Sequence, residues 1–202
     1  MNTSICKKAT QAINYFARKK DGTINKMKSV KLIYFADRYH IRKYGRPVVG
    51  DIYFAMKLGP VGSNILNVAN LSNTNLNSVC LKYAHEFLGY PKDDKKLQTI
   101  VSKKEVDLDL FSQTDIEAFE TVFKEYGSED QFELADISHE YPEWAKHEKE
   151  IKQGKRSVPM DYIDFFLNPS KTKSDIFKVP AENLAVAKDI YLEHKEVEAL
   201  LA

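Results

Sequence analysis

Apolar residues at the start of this chain recur with the period of a helix. Ile5, Ala9, Ile13 and Phe16 follow one another at spacings of four, four and three, which predicts an amphipathic helix over Thr3 to Arg18, ended by Asp21-Gly22. A second helix is predicted from Asn25 to Tyr44, where Gly45 supplies a left-handed stop and Pro47 prevents continuation. The period then shortens to two. From Asp51 to Leu58, Ile52, Phe54, Met56 and Leu58 alternate with Tyr53, Ala55 and Lys57, the pattern of a half-buried strand whose apolar face is the first set. Gly59-Pro60 reads as a rigid strand-to-helix corner, with Ser63 placed to cap a short helix as far as Asn70.

Beyond a polar loop at Ser72 to Ser78, Lys82 to Leu88 and Leu97 to Lys103 read as two strands around the turn Pro91 to Asp94, and Val106, Leu108 and Leu110 alternate after them. Ser112-x-x-Asp115 has the form of a capping box with Asp in the Glu position, and Ile116, Phe119, Val122 and Phe123 continue it as a helix to Gly127. Further helices are expected over Glu129 to Ser138 and Pro142 to Gln153. Asn168 to Pro180 reads as a linker, and Leu184, Ala187, Ile190, Tyr191, Val197 and Leu200 form a last amphipathic helix that packs on the domain or on a partner. The expected fold class is α+β and predominantly helical: a compact helical domain with a small antiparallel sheet and an appended C-terminal helix. The chain divides into residues 1–166 and a tail at 167–202 that folding of the first part does not need.

Composition narrows the function classes. The chain has 202 residues, 43% of them apolar, enough for a sizeable core. No apolar run approaches the length of a membrane span, and Lys7 and Lys8 interrupt any export signal. Cys6 and Cys80 lack metal or redox spacing, so a reducing cytoplasm is the expected location. The net charge of +1 conceals a polarised chain, because residues 1–46 carry twelve Lys/Arg against two Asp/Glu. Glu105 to Glu150 carries fifteen acids and three bases. Two opposed surface fields, or pairing between the two segments, would both follow. Nucleic-acid binding does not follow from the basic segment alone, and no helix-turn-helix spacing stands out.

On the second helix, Ile33, Asp37, His40 and Tyr44 fall in one line. His and a carboxylate one turn apart can act as a general base or hold a metal, and His139 could complete such a site, giving a small hydrolase or metal-dependent enzyme. The favoured alternative is a buried hydrogen-bonded pair that locks the helix to the strand, with His139 packed near Trp144. Three converging ligands are not apparent, and no cofactor motif is present, so neither a metal nor another cofactor is expected. Gly59-Pro60-Val61-Gly62 lacks the spacing of a phosphate loop. Phe35, Arg38 and Arg42 lie on the side of the helix away from Ile33, and together with Arg46, Tyr53 and Lys57 they read as a partner-binding surface of aromatics and cations.

The run KLIYFADRYHIRKYGRPVVGDIYFAMKLGPVGSN, Lys31 to Asn64, together with the elements FSQTDI at Phe111 to Ile116 and ELADISHEYPEW at Glu133 to Trp144, closely resembles the Panacea domain, the SocA-like antitoxin family with phage-associated members. Its motif positions correspond here to Asp37, His40, Gly45, Pro47, Asp51, Gly59, Pro60, His139 and Trp144. The resemblance spans about Thr3 to Phe166. It implies a cytoplasmic, non-enzymatic antitoxin of a toxin–antitoxin pair, of the kind found in prophages. Such a protein would neutralise a cognate toxin by direct protein contact, one family member doing so as an adaptor to the ClpXP protease.

Overall fold

The computed structural model describes residues 3–72, 75–169 and 174–201. Helices α1 (Thr3–Lys19) and α2 (Lys26–Tyr44) form where the apolar spacing places them, joined through the short strand β1 (Thr23–Asn25). Asn25 caps α2 by accepting from the Lys28 amide at 3.1 Å. Gly45 ends it with φ 70°, its N–H bonded to the Ile41 carbonyl at 2.9 Å. A side chain at Gly45 would also meet the C-terminal helix, with the Ala187 carbonyl oxygen 2.6 Å from a Cβ built there. Glycine is therefore required for conformation and for space.

A hairpin follows, β2 (Tyr53–Met56) and β3 (Gly59–Gly62). Two expectations need correcting here. The buried face of β2 is the Tyr53 and Ala55 face, while Ile52 and Leu58 are exposed at 61% and 45%, because α2 and the Trp144 element pack against the side that bears Tyr53. The Gly59-Pro60 corner is itself a strand, paired antiparallel to β2, with Pro60 opposite Ala55. Pro is tolerated there because β3 is an edge strand whose missing N–H costs no ladder bond.

Helix α3 (Ser63–Ala69) comes next, but Ser63 does not cap it; Gly62 occupies the cap position. The side chain of Asp51 does the work from outside the helix, accepting from the Ile65 amide at 2.7 Å and from the Asn64 side chain at 2.6 Å. Lys82 to Leu88 is helical rather than extended: α4 (Ser78–Phe87) starts from an Asn77 cap and gives way to β4 (Leu88–Gly89). Cys80 and Ala84, four apart, are its buried positions, a helical period that the short run disguised as alternation.

Strand β5 (Thr99–Ser102) lies between β1 and β4 in one antiparallel sheet. Leu108 to Leu110 is a 3-10 turn rather than a strand. Helix α5 (Gln113–Tyr126) begins at the Ser112–Asp115 capping box, and α6 (Gln131–His139) at a second one formed by Asp130 and Glu133. Two short helices, α7 (Pro142–Ala145) and α8 (Glu148–Lys152), replace the single helix expected over Pro142 to Gln153. Strand β6 (Ser157–Pro159) then pairs with β2, so the second sheet has the order β3-β2-β6. A 3-10 turn at Tyr162–Phe166 and helix α9 (Ala181–Leu201) complete the described chain. The fold is α+β and mainly helical, with small antiparallel sheets and a C-terminal helix.

The expected linker over Asn168 to Pro180, of which residues 170–173 lie outside the described residues, is packed against the domain at Phe177. Phe177 is buried against Phe35, Tyr126 and Tyr141, and Leu184 and Ala187 of α9 join the same core. The Arg42 guanidinium, fully buried, donates to the carbonyls of Phe165 at 2.7 Å, Leu167 at 2.9 Å and Phe177 at 3.0 Å. Truncation after residue 166 removes two of those carbonyls and uncovers Phe35. We expect loss of cooperative unfolding, or destabilisation of about 3 kcal/mol or more, because a buried cation loses most of its acceptors. Gly45→Ala is expected to destabilise by at least about 1 kcal/mol from the left-handed backbone alone. Denaturant unfolding of the two variants measures both; a wild-type midpoint in either would contradict this packing.

Candidate functional site

Asp37 and His40 are both fully buried on α2, but they do not meet each other. The Asp37 carboxylate accepts from the Val49 amide at 2.8 Å, the Gly50 amide at 3.3 Å and the Tyr53 hydroxyl at 2.9 Å. It locks the α2–β2 connection in place. Burial nevertheless raises its pKa to about 6, with the three hydrogen bonds only partly opposing the rise. His40 is held elsewhere: Nδ1 donates to the Arg46 carbonyl at 2.7 Å, leaving Nε2 to accept from the Thr114 hydroxyl at 3.0 Å. Burial lowers its pKa to about 4, so the ring is neutral at pH 7, and the 3.2 Å approach of Nε2 to Asp115 is a contact rather than an ion pair. Asp115 pairs instead with Arg46, at 2.8 Å. His139, at the end of α6, stacks on Trp144 with ring centroids 3.7 Å apart. The three residues of the hydrolase reading therefore have separate partners, and among the described residues no group of three or more His, Cys, Asp or Glu is placed to hold a metal.

The partner surface read from the sequence also needs correcting. Phe35, Arg38, Arg42 and Tyr53 are buried, because the side of α2 away from Ile33 is covered by α5, the Tyr141 turn and the C-terminal segment. Arg38 lies 2.9 Å from Glu143 through Nε and packs its guanidinium 4.1 Å from the Tyr141 ring. Arg46 is half-buried at Asp115 and Ser112. Lys57 alone of that set is exposed. The charge polarity of the chain resolves in part as pairing between its two segments: Lys19 with Glu120, Lys43 with Glu117, Arg46 with Asp115 and Arg38 with Glu143.

Two of the motif positions, His139 and Trp144, line a groove of about 990 Å³ between the N-terminal half of α2, the β2–β3 hairpin and the α6–α8 region. Its apolar lining includes Val30, Met56, Val61, Leu66, Trp144 and Ile151. Trp144 is fixed by donating Nε1–H to the Met56 carbonyl at 2.9 Å, which ties α7 to the hairpin. Lys31 enters the same groove although only 1% exposed, its Nζ donating to the Pro60 carbonyl at 2.8 Å. Gly59 must be glycine beside it, with φ 87° and a built Cβ only 2.7 Å from that Nζ. Burial lowers the Lys31 pKa to about 7. Lys31 opens the motif run, yet its place in the site was not legible, since a lysine on a helix ordinarily reads as a solvated charge.

Because the Lys31 pKa is depressed, the unfolded chain binds the extra proton between about pH 7 and the ordinary lysine value, so folding stability rises with pH across that window. Lys31→Met is expected to remove this rise, measured as the difference between variant and wild-type unfolding free energies from pH 7 to 10; an unchanged slope would place the ammonium in water. Asp37→Asn turns an amide donor toward three existing donors. It is expected to cost about 1–3 kcal/mol by denaturant unfolding, without abolishing the fold.

Comparison with known proteins agrees with these residues as a unit. No curated protein matches the chain, and no solved structure matches it. Among the described residues, no helix is long and apolar enough to cross a membrane. The family model described as antitoxin SocA-like, Panacea domain, matches residues 30–145, a span that holds Asp37, the hairpin, the capping box of α5 and the His139–Trp144 stack. With more than half of its length matched, the chain belongs to the SocA-like, Panacea domain family of antitoxins.

Proposed function

We propose that this protein is the antitoxin of a toxin–antitoxin pair, active in the cytoplasm, and that it silences a cognate toxin by direct contact at the groove face. The observation that carries this reading is the convergence of the matched segment on one groove: Lys31, the Met56–Val61 hairpin and the His139–Trp144 stack come from distant parts of the match and share one opening. A groove held by the Trp144 to Met56 bond and by an edge-strand hairpin is preorganised, which limits the entropy lost on association. The hydrolase reading is disfavoured by the separate partners of Asp37, His40 and His139. Delivery of the toxin to ClpXP is a further step that binding would permit.

Co-expression with the product of the adjacent reading frame tests this. The expected result is rescue of growth and co-purification of the two proteins. Failure of rescue by a soluble, folded chain would overturn the reading. Masking and delivery separate by the toxin's half-life: a half-life shortened by this protein only where ClpXP is present supports the adaptor, and an unchanged half-life with full rescue supports masking.

A further inference from the structure

The groove carries more basic capacity than it satisfies. A lysine ammonium has three donors, and Lys31, almost fully buried, uses one of them on Pro60 among the described residues. His139 Nε2 is buried with no hydrogen-bond partner among the described residues, while its ring face is taken by Trp144. These two groups are near enough that the Lys31 charge lowers the His139 pKa, adding to the larger effect of burial. The carboxylate in the lining, Glu148, is engaged by Lys152 at 2.8 Å. At the mouth, Lys57 and Arg156 are exposed, and no carboxylate pairs with either among the described residues.

We propose that the groove receives a segment of the partner toxin that lays an apolar side chain against Trp144 and Met56 and presents a carboxylate to Lys31 and His139. The inference rests on the antitoxin reading and adds the chemistry of what is bound. Charge complementarity selects the anion: a carboxylate would accept the free donors of Lys31 as charge-assisted hydrogen bonds and would favour a protonated His139 beside it. The cavity is too large and too apolar for a bare ion. Cations at its exposed rim, outside the pocket floor, fit a chain that crosses the mouth with further acidic residues rather than a compact small molecule.

The test uses the full chain and the product of the adjacent reading frame as intact protein and as short overlapping peptides, each also made with Asp and Glu replaced by Asn and Gln. Expected are binding by a few peptides that contain both apolar and acidic residues, and loss of at least about tenfold in affinity when their acids are amidated. The same loss is expected with Lys31→Met. The double variant Lys57→Glu, Arg156→Glu changes exposed residues only and keeps the test valid should Lys31→Met not fold; its loss should be greater at low salt than at high salt. Full capture of the intact product by the folded double variant, or peptide binding indifferent to amidation, overturns the proposal and leaves the antitoxin reading standing. No capture by the wild-type chain removes both. Octanoate alone, stabilising the chain as much as the best peptide does, would make the groove a small-carboxylate pocket and overturn the assignment to a partner segment.

Discussion

Moving a charge from water into a protein interior costs several kcal/mol unless other groups replace its solvation, and α2 takes Lys28, Lys31, Asp37, Arg38 and Arg42 out of water on a single helix. The segments around α2 are placed to meet that requirement. Lys28 donates to the carbonyls of Gly127 and Glu129, just past the end of α5. Asp37 collects amides from the turn after α2, and Arg42 collects carbonyls from both sides of the segment that leads to α9. Helix ends and loops hold the main-chain groups that no ladder satisfies, so they are the natural receptors for buried charges. The charges of one helix thereby dictate where three connections must run.

Arg38 shows how far this goes. It shares Glu143 with the Tyr34 hydroxyl, which donates at 2.6 Å, and stacks between Tyr141 and Phe177. Arg42 lies close by, and burial together with the Arg38 charge depresses its pKa to about 9. Two guanidiniums thus sit near one carboxylate, and Arg38 Nη1 and Glu143 Oε2 lack hydrogen-bond partners among the described residues. A hydrophobic replacement of similar volume could pack as well, so stability alone does not account for the arrangement. Its consequence is specificity of assembly: α7, the Tyr141 turn and the C-terminal segment must all dock before Arg38 and Arg42 are neutralised.

Periodicity made the helices legible. The first two helices, the Ser112 capping box and the Gly45 stop follow from spacing and local backbone chemistry, which tertiary context did not disturb. Lys82 to Leu88 failed because a seven-residue window cannot separate a helix with two buried positions from a strand. The faces of α2 failed for a different reason. A helix buried all round has no polar side, so the rule that cations mark the solvent misplaced Arg38 and Arg42. Phe35 was misplaced with them, since the residues that cover it, Tyr126, Tyr141 and Phe177, are more than ninety positions away in the sequence. The motif identified the family and holds some of the groove's residues, Lys31, Met56, Val61, His139 and Trp144 among them, without revealing that they share an opening.

The same accounting separates Lys31 from its neighbours on α2. Lys28 has two carbonyls, Asp37 three donors and Arg42 a set of carbonyls with the Asn168 side chain, whereas Lys31 has the Pro60 carbonyl. A second acceptor could have come from the next residue toward the groove, but Gly59 is held at a positive φ with no side chain to offer. The hairpin therefore approaches Lys31 closely enough to desolvate it and contributes one acceptor. A fold that gives Lys28, Asp37 and Arg42 several partners each, and gives Lys31 one, leaves an unmet electrostatic demand at the opening of an apolar groove.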